Sequence, residues 1–361
     1  MSLASQIVKK CLNITDKDNV TIMLYPHNIP LAEEIASECF RRGADVLLNL
    51  YTEKYLLSYM KELSVESLKE PSIFCKALTE SSTVQIWAGS TYDPAVLREI
   101  PPEKEAASSL GEAKAHWPLQ RDLKVRSLSV GLSLVTPPRA KVYGFNFRSW
   151  ERVMRDASGV DHDELAELGK ALKTTLSRAK HFRITAPGGT DLTFEASGRP
   201  WYVSDGVVDA KDVAEGHLDD HIPAGNIYAA PLETTVEGVV RFNVKEPYRG
   251  RSIGDMKWVF KGGKLKEFKG DASIARLKED WGKAAGDKDR MAYFSIGFNP
   301  LAKTGYTINQ VASGAVSVGL GGNEDLGGVN KPGFFYVGTL TGANVTADGK
   351  MIVKRGKIAL Q

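Results

Sequence analysis

The feature that most constrains this chain is a change of hydrophobic rhythm partway along it. From residue 20 to about residue 182, short apolar runs (20–24, 46–50, 84–87 and 128–135) alternate with longer stretches whose apolar residues recur three and four apart, as at 31–42 and 164–179. Strands alternating with helices predict a largely parallel sheet covered on both faces. Gly43, following Arg41 and Arg42, marks a helix stop, because a cation suits the last turn and glycine tolerates the left-handed residue after it. Beyond His181 the runs shorten (182–185, 192–195, 236–244, 256–260, 315–320 and 351–354) and Gly-rich turns separate them, among them Lys261-Gly-Gly-Lys264 and Asp348-Gly349. One helix is expected there, at 272–286. The fold class read from this is an α/β N-terminal domain, residues 1–180, with a mostly parallel sheet, followed by an α+β, β-rich C-terminal domain, residues 181–361, that carries the cleft.

Composition narrows the function classes. At 361 residues there is material for two domains, and 42% hydrophobic and 25% charged residues are those of an ordinary globular protein. A formal charge of +3, with no basic run, gives no reason to expect nucleic acid or an anionic membrane as partner. No apolar run approaches the roughly 18 residues of a membrane span, and Lys9-Lys10 follows too short an apolar patch for a signal peptide. Cys11, Cys39 and Cys75 have no metal-type spacing and read as reduced thiols. A cytoplasmic protein is expected.

The segment His221-Ile-Pro-Ala-Gly-Asn226-Ile-Tyr-Ala-Ala-Pro231 resembles the Asn-(Ile/Leu)-Pro-x-(Gly/Glu)-Glu-(Val/Ile)-(Phe/Tyr)-x-(Ala/Ser)-Pro signature of the thermophilic aminopeptidases of the aminopeptidase T and S type. Further matches run along most of the chain: 19–24 with 42–48, Thr190-Asp191 to Phe194, Gly198 to Trp201, Asp205-Gly206, and the closing 347–357. The resemblance implies that family's two domains, a homodimer, a small-molecule or peptide ligand, and a site with two divalent ions. Yet the family's bridging Glu falls on Asn226, a second Glu on Tyr293, a third on Ala312, its His on Ser317, its Tyr on Glu324, and its terminal His-x-Asp pair, to within a residue, on Phe335 and Val337. Two dications need anionic oxygen between them, and an amide carries no charge. The resemblance therefore implies a divergent aminopeptidase-like hydrolase with the dinuclear site lost or remodelled. Alternatives are a non-catalytic binding protein on the same scaffold and a ring-cleaving Fe(II) dioxygenase related to the dihydroxypyridine dioxygenases, whose chemistry needs two His and a carboxylate.

Cleft candidates are thus His221, Asn226, Tyr293, Ser317 and Glu324. His217 and His221, four apart, share a face whether the segment is helix or strand, and with Asp205 or Asp220 they could hold one divalent metal; they also read as surface histidines among acidic neighbours. The glycine-rich stretch 314–328 lacks the Lys-Ser/Thr of a phosphate loop and reads as a flexible loop at the cleft rim. His27 sits in the loop after the first strand, at the carboxyl edge where α/β sheets bind ligands.

Overall fold

Four of the expected apolar runs pair side by side. In the computed structural model, which describes residues 2–360 apart from the side chains of Ala113 and Ala115, a parallel sheet has the order Asp45–Leu50, Asn19–Leu24, Val84–Trp87, Arg126–Val130, Asp219–Ile222. Val20, Ile22, Leu24, Val84, Ile86, Leu128, Val130 and Ile222 pack with Ala32, Ile35, Ala36 and Cys39 of the helix Ile29–Phe40 in one core. That helix ends as expected, with Gly43 at φ +83°. Two details differ from the sequence reading. The fourth strand stops at Val130 and gives way to a 3-10 turn, Gly131–Leu134, whose Ser133 hydroxyl donates to the Val130 carbonyl. The fifth strand comes from far along the chain: Asp219–Ile222 runs parallel to Arg126–Val130, with His221 opposite Ser129.

The named strands of the second unit all pair antiparallel. An eight-stranded sheet has the order Lys264–Gly270, Met256–Lys261, Glu237–Phe242, Thr190–Glu195, His181–Ala186, Asn344–Ala347, Lys350–Lys354, Lys357–Ile358. A five-stranded sheet has the order Phe335–Leu340, Val316–Gly321, Met291–Gly297, Asn226–Ala229, Tyr202–Ser204. Gly262 and Gly263, at φ +59° and +71°, make the hairpin foreseen at Lys261-Gly-Gly-Lys264. The core holds Phe182, Phe194, Trp258, Phe294, Ile296, Val316 and Val318.

The two units divide at Gly159/Val160, and Gly206–Pro223 belongs with the first. The change of rhythm near residue 180 marks the start of the strand His181–Ala186, twenty residues later than this division. The reason is the helix His162–Leu176: Leu165, Leu172 and Leu176 are buried in the second core, each worth about 1.5–3 kcal/mol there, so a helix of the α/β rhythm belongs to the β-rich unit. Among the described residues no helix is long and apolar enough to cross a membrane.

Candidate functional site

Residues directly opposed in a β-ladder share a face, as do alternate residues along a strand. In the five-stranded sheet Asn226 lies opposite Gly297 and Ser204, Tyr228 opposite Ser295 and Tyr202, and Ser295 opposite Ser317. Ser317 in turn faces Thr339, Gly319 faces Val337, and Gly321 faces Phe335. Tyr293, next to a register shift, lies over Gly319: a Cβ there would stand 2.5 Å from the tyrosine ring. Asn226, Tyr293, Ser317, Phe335 and Val337 therefore occupy one face of one sheet, while Ile227, Phe294, Ile296, Val316 and Val318 fill the core on the other.

Aromatic rings run across that face. Tyr202 and Tyr228 stack at 5.6 Å between centroids, Tyr228 meets Tyr293 edge-on at 6.0 Å, and Tyr293 stacks on Phe335 at 5.8 Å with planes 12° apart. Tyr293 is buried, and Phe335 at the end of the run is 54% exposed. Glycine at 319 lets the ring of Tyr293 lie flat on the backbone.

Between the rings lie polar groups with unmet hydrogen bonds. Ser317 Oγ and Thr339 Oγ1 are 2.9 Å apart. Asn226 Oδ1 and Ser295 Oγ are buried with no partner. Glu246, from the short strand Glu246–Tyr248, accepts from Asn309 Nδ2 at 2.8 Å through Oε2, leaves Oε1 buried without a partner, and has the Thr339 hydroxyl beside it. Burial pushes its carboxyl up to about 7, against the pull of the Thr339 and Asn309 hydrogen bonds. Burial likewise raises the Tyr293 phenol, with the charge of Glu246 adding to it, so Tyr293 stays a hydrogen-bond donor. Glu246 and Thr339 were not among the sequence candidates; Glu246 shows in sequence only as a charge before Pro247.

The other candidates lie elsewhere. Glu324 is in an exposed 3-10 turn, Glu324–Leu326, its carboxylate paired with Lys331 at 2.6 Å. Ala312 sits just after the turn Asn309–Val311 and lines a depression of about 240 Å³ with Ser313, Gly314 and Thr341. A larger one, about 330 Å³, lies on the eight-stranded sheet around His181, Arg183 and Glu195 and touches none of the residues of that face. The glycine-rich stretch corrects the expectation of a flexible loop. Asn323 Nδ2 donates to Glu233 and to the Ala292 carbonyl, both at 3.1 Å, and Asn330 Nδ2 donates to the Met291 and Gly321 carbonyls, both at 3.0 Å. Arg199 pairs with the buried Glu233 and also donates to the Gly327 carbonyl.

The histidine pair belongs to the first unit. Asp220 spends both oxygens on backbone, accepting from Gly206 N and His221 N at 2.7 Å each, which fixes the start of the last parallel strand. His221 Nδ1 is 3.5 Å from Asp220 Oδ1, and His217 Nδ1 is 4.0 Å from Asp212. Burial pushes the His221 imidazole down to about 4, helped by His217, although about a quarter of its side chain is exposed. The Asp205 carbonyl accepts a hydrogen bond from the His162 ring at 2.5 Å. Among the described residues no three His, Cys, Asp or Glu side chains gather in a group able to hold a metal.

This fold meets its relatives at this point. The sequence profile of the thermophilic metalloprotease (M29) family matches residues 1–280, and the chain belongs to that family. Its structure is similar to wild-type AmpT from Thermus thermophilus, with a TM-score of 0.77 and 18% identity over 99% of this chain and 98% of that one. It is also similar to 2,5-dihydroxypyridine dioxygenase from Pseudomonas putida, with a TM-score of 0.63 and 14% identity over 99% and 96%. At such identities the likeness is one of fold. No curated protein matches the chain in sequence. The family match ends before Tyr293, Ala312, Ser317, Phe335 and Val337.

Proposed function

We propose that this chain is a divergent aminopeptidase-like hydrolase in which the family's dinuclear metal centre is replaced, at the same place on the sheet, by a metal-independent face of rings and hydroxyls served by Glu246. One observation carries the reading: five positions aligned with a metal site by resemblance alone share a single face, and the raised carboxyl of Glu246 adjoins it. The donor set does not suit two dications, since an amide, a phenol, a hydroxyl, a benzyl and an isopropyl group supply no anionic bridge.

A carboxyl near neutrality is suited to proton transfer. In this reading Glu246, with Thr339 and Ser317 beside it, takes the proton of an attacking water while the hydroxide adds to a peptide-type carbonyl. The Tyr293 O–H donates to the oxygen that gains charge, and Glu246 returns the proton to the departing amine. The aromatic run seats the substrate's apolar side chain. The test is turnover of aminoacyl anilides by the purified homodimer expected from the resemblance, with and without chelator. Expected are chelator-insensitive hydrolysis and a rate that rises with pH through about 7, the limb vanishing in Glu246→Gln. Turnover abolished by chelator and restored by zinc, cobalt or manganese would overturn it.

The second reading, a non-catalytic small-molecule or peptide binding protein, draws on the full burial of Ser295 and Ser317 and on the ring-lined face. Ligand-dependent stabilisation without turnover of any aminoacyl substrate would favour it. The Fe(II) dioxygenase reading has the fold likeness alone behind it, with Ser317, Phe335 and Val337 where its ligands would stand.

A further inference from the structure

A second collection of unmatched polar groups lies in the first unit. The parallel sheet places its first strand between its second and third, so the connections leave the carboxyl edge in opposite directions at Asn19–Leu24 and Val84–Trp87. Such a reversal opens a crevice at the strand ends, where α/β folds seat ligands. Three loops meet there: Tyr25 to Asn28 after the first strand, Gly89 to Tyr92 after the third, and Ser133 with Arg139 after the fourth. Gly89 permits the closeness, because a Cβ would lie 2.7 Å from the Tyr25 nitrogen and 3.0 Å from Asn28 Oδ1.

The groups in this crevice satisfy one another only in part. The helix Ile29–Phe40 begins without a side-chain cap, since Asn28 turns Nδ2 to the Ser133 carbonyl at 3.1 Å and leaves Oδ1 buried and unpartnered. Arg139 is 5% exposed, donates through Nη2 to the Thr91 carbonyl and to Ser90 Oγ at 3.2 Å, has the Tyr143 hydroxyl as a further hydrogen-bond partner, and keeps a buried Nε–H with no acceptor. Among the described residues no carboxylate lies within ion-pair distance of it. The nearby carboxylates are otherwise engaged: Glu53 Oε1 accepts from Asp93 N at 2.9 Å, and Asp93 Oδ1 from Ala95 N at 2.8 Å. His27 leaves Nε2 buried without a partner, its ring 5.2 Å edge-on from that of Tyr92, and Tyr25 stacks on Tyr51 at 6.3 Å.

Asp93 and Glu53 act on this guanidinium only at longer range, so a buried cation with no direct ion pair and a spare N–H is left under-compensated and favours an anion beside it. We propose that this crevice binds an oxyanion carried on a flat ring, the oxyanion against Arg139 and His27, the ring among Tyr25, Tyr51 and Tyr92. The asparagine oxygen accepts from a hydroxyl of the ligand, and the tyrosines supply faces on which a ring stacks. Burial, with the charge of Arg139, holds the His27 imidazole low against the hydrogen bond to the Ser133 carbonyl and the charge of Glu53; an anion alongside lifts it.

The test uses the whole chain with phenyl phosphate, benzoate and inorganic phosphate, read by thermal unfolding and by the His27 C2–H proton resonance. At least one ring-bearing anion is expected to raise Tm saturably and to move the His27 titration to higher pH. Arg139→Lys, which loses the planar fork, and His27→Gln, a milder change kept in case the first fails to fold, are each expected to weaken that binding about tenfold. Tighter phenyl phosphate assigns a phosphate ester and tighter benzoate a carboxylate, and both support the site. Neither ring-bearing anion binding at millimolar concentration, inorganic phosphate binding as tightly as both, or His27→Gln binding like wild type would overturn it.

Discussion

The parallel sheet and the five-stranded antiparallel sheet expose polar groups in different places. In the parallel sheet they lie past the strand ends, on loops such as Tyr25 to Asn28 and Gly89 to Tyr92; in the five-stranded antiparallel sheet they lie across a face, one per alternate residue. The cause is connectivity. Parallel neighbours require crossovers, so the loops converge at one edge, whereas an antiparallel strand presents every second side chain to the same side. An end-of-strand site changes by altering loops. A face site changes residue by residue without touching the backbone ladder, so side chains such as those of Tyr293, Phe335 and Val337 can be exchanged while the sheet keeps its register.

The largest expected effect breaks the face reading outright. Glu246→Gln should lower aminoacyl anilide turnover by about 10²–10⁴-fold, the usual range for loss of a general base, with folding intact by circular dichroism. The same variant has a stability signature. A carboxyl raised to about 7 from 4.5 favours the folded state most below about pH 4.5, and that advantage disappears as pH rises through 7. Wild type should lose up to about 3 kcal/mol relative to Glu246→Gln between those limits, measured by urea unfolding.

Next in size is Asn226→Glu, which puts a carboxylate at a buried position. It should destabilise by about 2–3 kcal/mol at pH 8 and less at pH 5, where the new acid is protonated, and zinc should not rescue it. Tight zinc binding by this variant would show that partner ligands exist on the face. A smaller effect, about 1–2 kcal/mol, is expected for Gly319→Ala, whose methyl must displace the Tyr293 ring; an unchanged unfolding midpoint would remove the reason for glycine there. The smallest belongs to Glu324→Ala, within about 0.5 kcal/mol and without effect on turnover, because its pair with Lys331 is solvent-exposed.

Sequence periodicity revealed the elements that pack by simple rules and hid those that do not. Strands 20–24, 46–50 and 84–87 stood out because each is a compact apolar run bounded by turn residues. The 22-residue helix Pro102–Leu123 did not, since Pro118 and Gly111 interrupt it; Gly111 is there because the Leu68 carbonyl approaches where a Cβ would be. Asp219–Ile222 was equally hidden: a four-residue strand with two aspartates and a histidine looks like a ligand cluster until its partner, almost a hundred residues earlier, is known. At the face, aligned motifs located Asn226, Tyr293 and Ser317, but Glu246 reaches it from a separate two-stranded hairpin, a relation that no local spacing encodes.

The return of Gly206–Pro223 to the first unit sets an order on biosynthesis. As the chain leaves the ribosome, the four-stranded parallel sheet waits with its Arg126–Val130 edge unpaired while the start of the second unit is made, several seconds at about 5–20 residues per second. Through that interval the newborn chain offers an open β-edge to its neighbours on the same message, and a chaperone that shields strand edges would act on it there.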